Sequence, residues 1–194
     1  MIDIPCVIFA GGKSSRMGED KALLPFEKHN TLTEYQLNQH SKTFQNIYIS
    51  CKSKEKFDFN ANFIEDLNQE LFAPTTAFIS IFHRLDNDSF FAISVDTPFI
   101  DNTIIKTLVE EDNGSFDAVV AVVDEQIQPL CGIYHRTLLS AFTDMEEQNI
   151  HKLNYLLKNS NVKFVPFEDK NKFLNLNNKE EYQKALEIIN ASLI

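Results

Sequence analysis

The sequence predicts an α/β fold: a mostly parallel sheet with helices on both faces, in a single three-layer domain spanning residues 1–194. Three observations predict it. Short apolar runs, many of them β-branched, alternate along most of the chain with segments whose apolar residues recur at helical spacing. The first of these runs closes on two glycines and reads as a central strand buried on both faces. A chain of 194 residues is also long enough to bury one core without disulfides or metals.

Taken in order, "IPCVIFA" (4–10) is the first strand. "TLTEYQLNQHSKTF" (31–44) reads as a helix with Leu32, Tyr35, Leu37 and Phe44 at roughly helical spacing, Thr31 or Thr33 as its cap and Glu34 in the first turn. "NIYISCK" (46–52) is a second strand and "NFIED" (62–66) a short third. "TTAFISIFHRL" (75–85) returns to helical spacing, and "SFFAISVD" (89–96) is a long buried strand. "NTIIKTLVEED" (102–112) is a helix with Ile104, Ile105, Leu108 and Val109 inward. "FDAVVAVV" (116–123) and "PLCGIYH" (129–135) are strands, followed by helices over 136–147 and 150–159. "VKFVPF" (162–167) and "FLNLN" (173–177) are short extended pieces, and an amphipathic helix from Asn178 closes the chain. No internal repeat, linker or low-complexity stretch interrupts this order.

The formal net charge of −10 argues against a nucleic-acid or anionic-membrane surface, each of which needs a basic face. An anionic small ligand is compatible with it if the cations are gathered locally. The N-terminal "MIDIPCVIFAGG" has neither the cationic nor the apolar region of a signal peptide, and no run reaches the length of a membrane span. Cys6, Cys51 and Cys131 lie in apolar strand-like runs with no CxxC spacing, as small core residues in a reducing compartment do. The expectation is a soluble cytoplasmic protein with no nucleic-acid or membrane partner.

In open α/β sheets ligands sit beyond the carboxyl ends of the strands. Three loops there stand out: "AGGKSSRMGEDK", Glu65–Asp66 and "VDTP" (95–98). Gly11 and Gly12 allow positive φ and close approach of backbone N–H groups to a ligand. Lys13, Arg16 and Lys21 add cations suited to phosphate. A Walker A loop would need a glycine where Val7 stands, and the spacing Gly11, Gly12, Gly18 is not GxGxxG. The long cationic loop suits a triphosphate lying across it. Asp96 at a strand end is a candidate Mg²⁺ ligand, since Mg²⁺ takes oxygen ligands and shares them with substrate phosphates; the alternative is a helix cap, with Thr97 and Asp101 competing for that role. Asp66 either accepts hydrogen bonds from a base or ribose or merely ends a strand. The five histidines show no ligand spacing, and GxSxG is absent.

The stretch "FAGGKSSRMGEDKALL" resembles LAGGxSxRMGxDKxLL, the signature of the molybdenum cofactor guanylyltransferases, which make molybdopterin guanine dinucleotide. "IED" ending at Asp66, "DTPFI" from Asp96, "QPLCGIYH" and "FLNLNNKEEY" resemble further family segments in the right order, so the likeness covers nearly the whole chain. It implies a Rossmann-like nucleotidyltransferase, related to the glycosyltransferase-A type, that binds GTP and Mg²⁺, joins GMP to molybdopterin or Mo-molybdopterin and releases pyrophosphate. Residue by residue it places Phe9, Ala10, Gly11 and Gly12 against the nucleotide, Lys21 at its phosphates and Asp66 at its guanosine part. Asp96 falls at the Mg²⁺, and Asn175 and Asn177 on the acceptor side. Arg16, Lys21 and Asp96 are the catalytic set. Molybdoenzymes or cofactor-delivery proteins are the further partners such an activity leaves room for. Two departures stand out. The GPLxG-like loop usual after Asp66 has lost its glycines, with Ala73 and Ala77 in their places, and the second strand ends in Ser50 and Cys51 rather than Asn. The alternatives are a sister enzyme using CTP or a sugar-phosphate acceptor, and a catalytically silent GTP-binding regulatory protein.

Overall fold

A computed structural model of the chain describes residues 1–12 and 17–191; Arg16 of the expected catalytic set, with its neighbour Lys13, lies outside the described residues. The strands are β1 (Cys6–Phe9), β2 (Ile47–Cys51), β3 (Asn62–Glu65), β4 (Ser89–Ser94), β5 (Ala118–Val123), β6 (Gln126–His135) and β7 (Val162–Phe167). The helices are α1 (Leu32–His40), α2 (Pro74–Arg84), α3 (Asn102–Glu111), α4 (Leu139–Glu147), α5 (Leu153–Lys158) and α6 (Lys179–Ala191). All seven strands form one sheet in the order β3-β2-β1-β4-β6-β5-β7. The expected mostly parallel α/β architecture is what the chain adopts.

Only β6 runs against the rest, pairing antiparallel with both β4 and β5. The cause is local. Val123 pairs with Gln126, which leaves Asp124 and Glu125 as a two-residue hairpin loop. Their φ angles of 49° and 60° are both left-handed, the geometry of a type I′ turn that matches strand twist. Parallel strands need a long crossover, so a loop this short commits β6 to the opposite direction.

Alternation along the strands divides the apolar residues between two faces. Cys6 and Ile8 of β1 join a cluster with Leu32 of α1, Ile104 and Leu108 of α3 and Ala185 of α6. Val7 and Phe9 join another with Phe78 and Phe82 of α2, Phe142 of α4 and Leu156 of α5. Both clusters draw on the phenylalanine excess, and in the second the rings contact one another closely. Phe78 stacks on Phe142 with centroids 4.5 Å apart and 12° between planes, and tilts against Tyr134 at 4.6 Å. Each such ring contributes about 1.5–3 kcal/mol through burial. All three cysteines are buried and free, as expected. No helix among the described residues is long and apolar enough to cross a membrane.

Two elements depart from the sequence expectation. α1 stops at His40, and Phe44 instead forms a parallel bridge to Ile2. Its buried face is Leu32, Thr33, Gln36 and His40, while Tyr35 and Leu37 are only half-buried. The expected extended piece at 173–177 begins instead as a 3-10 turn over Lys170–Phe173.

Gly132 of β6 sits opposite Val120, beside the register shift between Val120 and Val122 of β5. A Cβ there would fall on the Val119 carbonyl oxygen and lie 2.9 Å from Val120 Cα, both backbone atoms of the sheet's interior. Gly132→Ala should therefore cost about 1–3 kcal/mol by overpacking. A urea titration should show a lower midpoint with an unchanged slope; an unchanged midpoint would show that β5 can yield at its bulge.

Candidate active site

The strand order reverses direction at β1: the chain moves outward to β2 and β3, then returns to the other side of β1 as β4. Loops leaving β1 and β4 therefore diverge, and a crevice opens beyond their carboxyl ends. A cavity of about 250 Å³ occupies it, walled by Phe9, Ala10, Gly11 and Gly12 on one side and by Lys21, Ser94 and Asp66 elsewhere. The backbone freedom expected of the two glycines is used elsewhere in the loop, at Gly18 with φ 78°. A Cβ at Gly12 would meet only open space, so that position leaves room beside the cavity.

At one end of the cavity the chain brings three distant residues together. Asp20 caps the 3-10 turn over Lys21–Leu23, its Oδ1 accepting from Ala22 N at 3.0 Å, and so aims Lys21. Lys21 Nζ lies 2.5 Å from Asp96 Oδ2 and 3.4 Å from Asn177 Oδ1. Ser94 Oγ donates to the other Asp96 oxygen at 2.5 Å. Lys56 supports the loop from behind, donating to Ala10 O at 2.9 Å and pairing with Asp20 at 2.6 Å. Asp96 does not cap a helix: Asp101 caps α3, accepting from Thr103 N at 3.0 Å and Ile104 N at 3.2 Å. No group of three His, Cys, Asp or Glu among the described residues is arranged to hold a metal by itself. A lone carboxylate at the cavity mouth fits a divalent ion that takes its remaining ligands from substrate phosphates and water. The ammonium drawn to Asp96 shows that this oxygen favours a cation.

The turn carrying Asp96 is braced from inside. Gln36 is fully buried, and its Nε2 donates to the carbonyls of Ser94, Val95 and Thr97 at 3.1, 3.2 and 3.1 Å. Its Oε1 lies 2.9 Å from His40 Nε2, so the buried imidazole donates to it. Burial pushes the His40 pKa down to about 4.

At the opposite end stands Asp66, buried directly after β3. Its Oδ2 is 2.9 Å from Lys52 Nζ and its Oδ1 has no hydrogen-bond partner. Burial raises its pKa, and the Lys52 ammonium opposes that rise. Ala73, at a position where a glycine was expected, is the N-cap of α2 with φ −136°, an extended conformation open to any residue, and Pro74 supplies the first helical position. Asn175 faces elsewhere. It lines an adjoining cavity of about 250 Å³ with Thr97, Gln128 and Phe173, and Ser94 and Leu130 border both cavities.

Of the residues singled out in the sequence, Lys21, Asp96 and Asn177 meet at one point, Phe9–Gly12 form a wall, Asp66 marks the far end and Asn175 the adjoining cavity. Lys52, Lys56, Ser94 and Gln36 were missed. Lys52 follows a strand end, the same signal that drew attention to Asp96.

A MobA-like NTP transferase domain matches residues 6–163. The molybdenum cofactor guanylyltransferase of Campylobacter jejuni subsp. doylei is 39% identical over 184 residues, covering 94% of this chain and 95% of its own. That of Helicobacter pylori (strain G27) is 31% identical over 192 residues, covering 96% and 94%. The crystal structure of molybdopterin-guanine dinucleotide biosynthesis protein A from Archaeoglobus fulgidus superposes with a TM-score of 0.82 at 21% identity, covering 97% of this chain and 100% of that one.

The buried imidazole beneath the Asp96 turn gives a pH signature. The folded pKa, about 4, lies below the ordinary 6.5, so His40 stabilises the fold fully above 6.5 and progressively less as pH falls toward 4. Between pH 7 and pH 4.5 its protonation in the unfolded chain should remove about 2–3 kcal/mol. His40→Gln, which keeps a donor to Gln36, should lose that much less over the same range in paired urea titrations. Parallel pH profiles would show that His40 charges without leaving its site.

Proposed function

The chain belongs to the MobA-like NTP transferase family, and we propose that within it this protein transfers GMP from GTP to molybdopterin, releasing pyrophosphate and forming the guanine dinucleotide cofactor. The observation that carries the reading is the meeting of Lys21, which lines one cavity, with Asp96, 75 positions away, whose other oxygen is held by Ser94, a residue that borders both cavities. One cavity suits the donor nucleotide and the other the acceptor.

In this reading a terminal phosphate oxygen of the acceptor attacks the α-phosphorus of GTP. The new P–O bond forms as the bond to the β-phosphate oxygen breaks, and pyrophosphate leaves with the electron pair. The attacking phosphate is ionised at neutral pH, so no general base is needed. Charge grows on the α-phosphoryl oxygens and on the leaving group, and fixed donors stabilise it. Lys21 exchanges its Asp96 partner for phosphate oxygens as GTP enters. Asp96 would hold Mg²⁺, whose role when bound is to neutralise phosphate charge. Arg16 adds a forked donor from the same loop. Phe9, Ala10, Gly11 and Gly12 flank the nucleotide. Asp66 accepts from N1–H and the 2-amino group of guanine, donors that adenine and uracil do not offer together. Asn177 beside Lys21 and Asn175 in the adjoining cavity face the acceptor.

With Mg²⁺ present, GTP should raise the melting temperature more than CTP, by an amount equivalent to about 2.7 kcal/mol at a hundredfold excess over its Kd. An equal or larger shift with CTP would transfer the protein to cytidylyl chemistry. Asp96→Ala should fold normally, since it empties no core volume, and lose metal-dependent turnover; activity within a few-fold of the parent at saturating Mg²⁺ would remove Asp96 from the metal site. Lys21→Ala should lower the single-turnover rate from labelled GTP by about 10²–10³. If it lost only GTP affinity and kept that rate at saturation, Lys21 would be a binding clamp.

A further inference from the structure

The far end of the nucleotide cavity is held by one side chain. Lys52, the residue after β2, carries three N–H donors, and all three converge on a single segment between β3 and α2. They reach Asp66 Oδ2 at 2.9 Å, the carbonyl of Asn68 at 2.7 Å and the carbonyl of Leu71. The same ammonium lies 5.0 Å from the centroid of the Phe72 ring, within cation–π range. Lys52, Asp66 and Phe72 all line the cavity.

The segment has few other ties to the sheet. Asp66 N donates to Cys51 O at 3.0 Å and Leu67 N to Ser80 Oγ at 2.9 Å. The bonds from Glu70 N and Leu71 N to Asn68 Oδ1 are local to the turn. Leu67 is 69% and Phe72 49% exposed, so apolar burial does little to hold the segment down. Asp66 itself is buried, with one oxygen on Lys52 and the other unpartnered. Without the ammonium, that carboxylate would be an uncompensated buried charge. It would take up a proton or swing toward water, and in either case stop presenting an ionised acceptor at the cavity wall.

We propose that Lys52 is the positioning residue for base selectivity: by clamping the 66–72 segment it holds the Asp66 carboxylate and the Phe72 ring where they meet the hydrogen-bonding edge of guanine. The inference rests on the guanylyl reading above. Lys52 takes no part at the triphosphate end, where Lys21 and Asp96 stand, so its effect belongs to the base alone. This separates it from a general stabiliser, whose loss would weaken every nucleotide alike.

The test is direct titration of the protein, Lys52→Met and Lys52→Arg with GTP, ITP, CTP and inorganic tripolyphosphate in Mg²⁺. ITP lacks only the 2-amino group. The parent should prefer GTP to ITP. Lys52→Met should weaken GTP by about tenfold or more, as expected for losing a charge-assisted contact, while ITP weakens less and tripolyphosphate binds as before. Lys52→Arg should fall between the two, because a planar fork cannot serve three convergent acceptors. A GTP:ITP ratio in Lys52→Met equal to the parent's would overturn the proposal. If Lys52→Met does not fold, a parental ratio in Lys52→Arg overturns it equally. A parent that binds CTP as tightly as GTP would instead sink the guanylyl reading, and this inference with it.

Discussion

The site depends on one buried amide. After β4 the backbone turns inside the protein, and the carbonyls of Ser94, Val95 and Thr97 point away from water. An unpartnered buried carbonyl costs about 1–3 kcal/mol. The two hydrogens of the Gln36 NH₂ group are shared among the three; Ser94 O also accepts from Thr97 N and Oγ1 and Thr97 O from Ile100 N, so it is Val95 O above all that Gln36 satisfies. With the turn held from beneath, Ser94 Oγ can fix one Asp96 oxygen while Lys21 takes the other. The carbonyl of Asp96 in turn accepts from Leu176 N at 2.9 Å, which brings in the segment carrying Asn175 and Asn177. The polar inner face of α1 is the counterpart of this arrangement: a helix that packed there with leucines would leave the turn unsupported.

That face also marks where sequence reasoning stops. Apolar runs announce strands because burial on both sides excludes polar residues, and the loops after those runs are then the places to look. Asp96, Asp66 and Lys21 were legible for that reason, and Asn177 through its resemblance to a family segment. Gln36 and His40 were not, because polar residues on a helix ordinarily face water, the partners of the Gln36 amide nitrogen are backbone carbonyls about sixty positions away that carry no residue-specific signal, and the His40 ring is tied in through Gln36. Lys52 did carry the strand-end signal, but its two carbonyl partners in the following loop are not visible in residue types. The reversal of β6 was invisible to periodicity, which records which residues are buried but not the direction of the strand. The two alanines after Asp66 looked like a loss, yet Ala73 sits in an extended backbone where glycine has no advantage. The segment they flank is shaped by the Lys52 ammonium.

The cations of an otherwise acidic protein are held in pairs. Among the described residues around the crevice, Lys21 stands against Asp96, Lys52 against Asp66 and Lys56 against Asp20. Each cation is neutralised before any ligand arrives, which keeps a concentrated positive patch off a molecule of net charge −10. An entering triphosphate must compete with Asp96 for Lys21, and a divalent ion on Asp96 would remove that competitor. On the function proposed above, nucleotide and metal would be coupled through the same two side chains.

The crevice is also assembled in a fixed temporal order. Every residue lining the nucleotide cavity lies at or before Leu130. Phe173 and Asn175 in the adjoining cavity, Asn177 beside Lys21, and the Tyr182 hydroxyl that donates to Pro25 O all come from the C-terminal stretch. During translation the residues of the first cavity therefore leave the ribosome ahead of these C-terminal contributions. The adjoining cavity, lined mostly by residues up to Leu153, receives Phe173 and Asn175 last, so a nascent chain has every residue of the first cavity in hand before the second can be closed.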